Sequence, residues 1–254
     1  MSDLTISILT KDRPTVLAMA LTSIYNQDLK PKFVHIIDGG DDPATSTYEI
    51  RAIMDILNRE GITVIHFREF ERNLFKLRAG QLRAADTNFL MFMDDDNILD
   101  QYYLSNIMPH AYKKLHGFVA GLNLLPNNEI QKPDYSIELL PDYPEELGCN
   151  QWAYFEYEKE IIVTVGYSNI TGTVFDMTDV KKIKDVTEEL CKFEDAALED
   201  FILTYFMGPG VLVTKAKSWH LMNPNSKRNW IYKLDNKLRN DFKNNPKKVM
   251  TLLR

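Results

Sequence analysis

"FLMFMDDDNILD", residues 89–100, runs five apolar side chains straight into three consecutive aspartates, Asp94, Asp95 and Asp96. The apolar run reads as a β-strand, and the aspartates stand where it ends. Three adjacent carboxylates repel one another, and such a cluster is costly unless a cation offsets it. Oxygen ligands suit Mg²⁺ or Mn²⁺, ions that often bridge to substrate phosphates. The alternative is a solvated turn, or an N-cap cluster for a helix beginning near Asp100.

Upstream, the chain alternates strand and helix signals. "LTISILT" (4–10), "KFVHIID" (32–38) and "ITVIHF" (62–67) are short β-rich runs. Between them, 13–27, 45–61 and 73–86 carry helical spacing, with Pro14 suited to a first turn and Gly61 to a stop. Strands joined by crossover helices imply an α/β fold around a mostly parallel sheet. Ligands of such sheets gather at the carboxyl ends of the strands, where Thr10, Asp38 and Asp94 fall. Downstream the pattern is less regular. Residues 125–148 hold four prolines and many acids and read as a long loop or lid. Residues 158–177 read as two strands, 194–208 as a helix, and "GVLVTKA" (210–216) as a last strand.

The 254 residues are 44% apolar, enough for a large core in one domain. No apolar run is long enough to span a membrane, and no secretory signal pattern opens the chain. Two distant cysteines, Cys149 and Cys191, argue against a disulfide framework and for a cytoplasmic protein. The net charge of −6 is uneven: residues 227–254 hold nine Lys/Arg against two Asp/Glu, so this tail carries +7 and the rest −13. The expected organisation is a domain over 1–226, in two halves (1–100 and 101–226), followed by a basic helical tail. Such a tail is either a solvated helix or a contact for an anionic partner.

Four segments, in order, resemble the inverting glycosyltransferases of family 2. "ISILTKDRP" is similar to the family's first strand and nucleotide loop, and "VHIIDGGDDPAT" to its second strand and acidic turn. "LRAGQLRAADTNFLMFMDDDNIL" is similar to the stretch leading from the family arginine to the Asp-x-Asp motif, and "FEDAALEDFIL" to the Glu-Asp helix start. The chain departs from the family at Leu77 and Ala79, and at "KDVTEELCKF", which replaces a glycine-and-acid stretch. The resemblance implies a GT-A, Rossmann-like fold with a smaller acceptor-side subregion. It also implies a nucleotide diphosphate-sugar donor, a Mn²⁺ or Mg²⁺ cofactor, and transfer with inversion to an acceptor hydroxyl.

Residue roles follow from that resemblance. Asp96 is the first candidate metal ligand, with His220 as a late histidine ligand. Asp94 and Asp95 would serve the ribose and the diphosphate shell, and Thr10, Asp12 and Arg13 the nucleobase. Asp12 could instead cap the helix at Pro14. Asp38 is either a base or ribose contact or a turn aspartate before Gly39-Gly40. Arg78 shares a helix face with Phe75 and Leu82. A cation there needs an anion, either the donor diphosphate or one of the aspartates. Inverting transfer needs a carboxylate to take the acceptor proton. Asp195, beside Glu194 and in phase with Leu198 and Ile202, is the candidate base, and Asp200 is the runner-up. The aromatic run Trp152, Tyr154, Phe155 and Tyr157 reads as a core patch. A glycan or lipid-linked sugar is the expected acceptor, and a hydroxylated DNA base the alternative. A nucleotidyltransferase or a non-catalytic nucleotide-sugar-binding module stands outside the transferase reading.

Overall fold

The computed structural model describes residues 2–127, 135–136, 162–165, 167–168, 170–193, 199–208 and 210–221. Four parallel strands make its first half: β1 (Leu4–Thr10), β2 (Phe33–Asp38), β3 (Thr63–Arg68) and β4 (Phe89–Asp94), in spatial order β3-β2-β1-β4. The crossovers are α1 (Pro14–Tyr25), α2 (Tyr48–Arg59) and α3 (Leu74–Ala84). Beyond β4 lie β5 (Asn97–Leu99), α4 (Tyr103–Ala111), β6 (Phe118–Leu124), β7 (Tyr135–Ser136), β8 (Ile162–Val165), β9 (Tyr167–Ser168) and β10 (Thr173–Asp176). The described chain closes with α5 (Val180–Leu190), α6 (Glu199–Met207) and β11 (Gly210–His220).

The sheet continues past β4 as β10-β6-β11-β5, with β8 on the flank of β11. β10 is antiparallel to both β4 and β6, so the parallel half meets a mixed half at β4. The small β7–β9 pair stands apart from this sheet. The expected α/β class and parallel first half are therefore present, with boundaries within a few residues of the sequence reading. Period-2 alternation divides the core into two layers. Leu4, Ile6 and Ile8 of β1, with Phe89, Met91 and Met93 of β4, pack with α1, α2 and α4. Leu90 and Phe92 of β4 pack with Phe75 of α3, Val186 and Leu190 of α5, and Ile202 and Leu203 of α6.

Several elements differ from the sequence reading. β6 carries no alternation because all seven of its residues are buried, including Gly121 and Asn123. Gly121 is there for space: a Cβ would lie 2.1 Å from the Tyr103 hydroxyl, which crosses over it to donate to the Gly172 carbonyl at 2.6 Å. α4 begins at Tyr103 with no side-chain cap, after a short strand, so the acid triplet does not cap a helix. β7 falls inside the stretch read as loop. The helix read over 194–208 is described from Glu199. Residues 194–198, the rest of the proposed lid, the 152–157 aromatics and the tail 227–254 lie outside the described residues. The last strand runs to His220 rather than stopping at Ala216, because its end pairs with β5.

Candidate active site

The register aligns the polar strand ends. Thr10 pairs with Asp38 across β1–β2, and Leu9 with Asp94 across β1–β4. All lie at carboxyl ends, on the edge where the sheet changes from parallel to mixed.

Asp38 is almost wholly buried, and four donors of its own chain converge on it. Oδ1 accepts from the Gly40 amide (2.9 Å). Oδ2 accepts from the Ala44 amide (2.7 Å) and Arg68 Nη1 (2.9 Å), and lies 3.0 Å from His66 Nε2. Burial works to raise its pKa, but the two amides, then His66 and Arg68, outweigh that and hold it below the usual carboxylate range. Arg68 also donates to the Gly40 carbonyl. Gly40 is pressed between walls: a Cβ would sit 2.7 Å from Asp12 Oδ1 and 3.0 Å from Asp38 Oδ1. His66 and Arg68 are site-shaping residues that the sequence reading passed over. Their only signal was a strand ending in a histidine and an arginine.

Asp12 does not cap α1. Its Oδ1 accepts from the Asp41 amide at 2.8 Å, which ties the loop after β1 to the loop after β2. Arg13, at the N-cap position of α1, turns to the acid triplet. Its Nε donates to Asp95 Oδ2 (3.1 Å), Nη2 pairs with Asp95 Oδ1, and Nη1 donates to Asp96 Oδ2 (2.9 Å). The Thr10 hydroxyl donates to Asp95 Oδ2 at 2.8 Å. Asp95 is fully buried, and burial pushes its carboxyl up to about 7 against the pull of Arg13 and Thr10.

Asp94 and Asp96 diverge from that centre. Asp94 Oδ2 accepts from the Thr171 hydroxyl (2.7 Å) and Oδ1 lies 3.3 Å from Arg78 Nη2. Arg78 is buried and also donates to Gln81 Oε1 (3.1 Å), which in turn anchors to Ser7 Oγ (2.8 Å). Its guanidinium packs over the Phe92 ring, and Nη2 lies 3.9 Å from Glu199 Oε1. Of the two partners the sequence left open for Arg78, the acids are therefore present. Arg78 Nε is buried without a hydrogen-bond partner among the described residues. On the other side, Asp96 Oδ1 lies 3.3 Å from His220 Nε2. β11 holds that approach: His220 pairs with Asn97, and the Leu221 amide donates to the Asp96 carbonyl at 2.8 Å. Asn97 Oδ1 is a second buried atom without a partner among the described residues.

Among the described residues, no three His, Cys, Asp or Glu side chains form a ready metal cluster. Asp96 and His220 form a two-member oxygen-and-nitrogen pair, a donor set that fits Mn²⁺ or Mg²⁺ when phosphate oxygens or water complete the shell. Asp200 is buried in the first turn of α6, beside Glu199. Asp195 and Glu194 lie outside the described residues. No described helix is long and apolar enough to cross a membrane.

Solved structures share this fold. The chain is similar to S. aureus TarS 1–349 (TM-score 0.57, 13% identity), covering 86% of this chain and 60% of that one. It is similar to the same protein in complex with UDP-GlcNAc (0.58, 14% identity, 88% and 59% covered). It is also similar to GalNAc-T7 with UDP, GalNAc and Mn²⁺ (0.62, 12% identity, 87% and 43% covered). The chain thus spans less than two thirds of each. No curated protein sequence matches it. The family described as Glycosyl transferase family 2 matches residues 5–138, a span that takes in the loops after β1 and β2 and the whole acid turn. With more than half its length matched, the chain belongs to glycosyltransferase family 2 and shares the fold of the structures above.

Proposed function

We propose that the protein is a metal-dependent inverting glycosyltransferase. It would act in the cytoplasm and move a sugar from a nucleoside diphosphate donor to a hydroxyl of a glycan or lipid-linked acceptor. The observation that carries this reading is the pairing of Asp96 with His220 at the mouth of the acid turn. Asp96 and His220 would hold the divalent ion, which supplies charge to the leaving diphosphate. Arg78 and Thr171 orient the partly exposed Asp94, which would face the donor, while Thr10 and Arg13 hold the buried Asp95 in place. Asp38 would act through the loop it ties, since both of its oxygens already accept from the chain. The uridine nucleotides held by the TarS and GalNAc-T7 structures make a uridine diphosphate-sugar the first donor to try.

The base would come from the 194–200 segment. Asp195 remains the candidate from the resemblance. Glu199, 3.9 Å from Arg78, supports the second Glu-Asp pair reaching the donor cleft, and so keeps Asp200 in contention. Whichever acts takes the acceptor proton as the hydroxyl attacks from the face opposite the leaving nucleotide.

Hydrolysis of nucleotide-sugars, compared across donors with and without Mn²⁺, tests the reading. One donor should be turned over in a metal-dependent way, and Asp96→Ala should lose that dependence while still folding. Equal turnover without metal, or an unaffected Asp96→Ala variant, would remove the metal role.

A further inference from the structure

Asp12 has φ of 54°, a left-handed backbone that crowds a residue with a Cβ. Such strain persists where surrounding contacts fix it, and here the Asp41 amide holds the Asp12 carboxylate. The bend aims Arg13 across the cleft. An N-cap position normally favours a short acceptor side chain; Arg13 makes no cap bond and spends its guanidinium on the acids instead. The fork takes Asp95 with two nitrogens and Asp96 with the third. Both oxygens of Asp96 are consequently engaged, Oδ2 by Arg13 and Oδ1 by His220. A divalent ion approaching Asp96 meets a positive charge already seated on the same carboxylate.

We propose that Arg13 is a resident counter-cation that competes with the divalent metal for Asp96. The inference rests on the metal reading above. Three adjacent carboxylates need a neutralising charge, and Arg13 supplies one whenever no ion is bound. Two guanidinium nitrogens hold Arg13 on Asp95, so of the Arg13 contacts only that from Nη1 to Asp96 has to open for the metal to enter. The remaining repulsion between guanidinium and ion weakens binding of the bare metal. A nucleoside diphosphate adds negative charge on the same side of the cleft and offsets that repulsion. Metal and donor therefore load together rather than metal first, and Arg13 is the positioning residue that enforces the order.

Calorimetric titration of the full chain with Mn²⁺ alone, then with Mn²⁺ in the presence of UDP, tests this. Arg13→Met should bind bare Mn²⁺ more tightly than the parent, on the order of tenfold for removal of one nearby charge. The gain should shrink when UDP is present. Arg13→Lys keeps the charge but not the fork, and should fall between the two. A purely structural tie would not tighten metal binding when removed, so equal or weaker affinity in Arg13→Met overturns the inference. Should Arg13→Met fail to fold, Arg13→Lys decides alone by the same comparison with the parent. Silence from all proteins at millimolar Mn²⁺ would overturn the metal reading and this inference with it. A parent that binds and variants that gain nothing would overturn this inference only.

Discussion

Four aspartates of identical chemistry acquire different characters within one cleft. Asp38 is pulled down by amides and cations, and Asp95 is pushed up by burial, although both are closed off from solvent. Asp94 and Asp96 lean outward to Arg78 and His220. Neighbours two to six residues away gave Asp38 part of its setting, and Gly39-Gly40 signalled that turn in the sequence. His66, Arg68 and Thr171 come from distant segments, so nothing in the sequence beside Asp38 or Asp94 pointed to them, which is why they emerged only with the fold. The base assignment belongs to this scale too. Asp195→Asn keeps shape and removes the proton acceptor. Turnover should fall by roughly 10²–10⁴ with donor affinity nearly unchanged. If Asp200→Asn gives that result and Asp195→Asn does not, the second Glu-Asp pair carries the chemistry. Single-turnover rates alongside calorimetry with the nucleotide separate the two outcomes.

At the scale of elements, β2 contains an inconsistency that can be measured. His35 lies mid-strand, almost wholly buried, with the Phe67 ring edge-on at 5.3 Å and Phe33 tilted at 6.2 Å. Neither ring nitrogen has a hydrogen-bond partner among the described residues. Burial lowers its pKa, so the folded protein holds it neutral while the unfolded chain protonates it below about 6.5. The unfolded state thus binds more protons between the folded pKa and 6.5, and stability falls as pH drops through that window. His35→Leu should raise stability by about 1 kcal/mol, by removing unsatisfied polar atoms, and should reduce the loss on acidification. Urea melts at pH 7 and pH 5 read both effects; a destabilised variant would show that the imidazole has a partner in solution. The strands themselves were readable because each first-half strand is a short β-rich run that ends on a polar residue at its cleft end. β6 was not readable, since a strand buried on both faces and containing Gly121 and Asn123 offers neither alternation nor a continuous apolar run.

For the molecule as a whole, charge is the open lever. An acidic body carrying a +7 tail over residues 227–254 is suited either to self-association of the tail with the domain or to an anionic acceptor. Trp230, Tyr232 and Phe242 interleaved among the bases would also suit nucleic acid. If the acceptor is a hydroxylated DNA base, duplex binding should weaken steeply with salt. Neutralising Lys233, Lys237 and Arg239 should then flatten the slope by about one unit per lost phosphate contact. Gel-shift titration at several salt concentrations checks this, and no binding at low salt leaves the glycan reading standing.

β11 ties these scales together. Gly210–Val213 zip against β6 and β8, Lys217–Trp219 rejoin β6, and Ser218–His220 pair with β5. Val213 faces Gly121 and Lys217 faces Leu122, so residues 214–216 are an insertion in the ladder, packed by the buried Ala216 and held by the Asn106 side chain on the Lys215 carbonyl. That insertion is a length gauge. The core clasp anchors one end, the other end delivers His220 to Asp96, and the count between them sets which face of the sheet His220 occupies. Removing one residue from the gauge would leave the core fastened while turning the histidine away from the acid. Under the proposed metal reading, a folded chain altered there would bind no Mn²⁺, a lesion of spacing with both Asp96 and His220 still in the sequence.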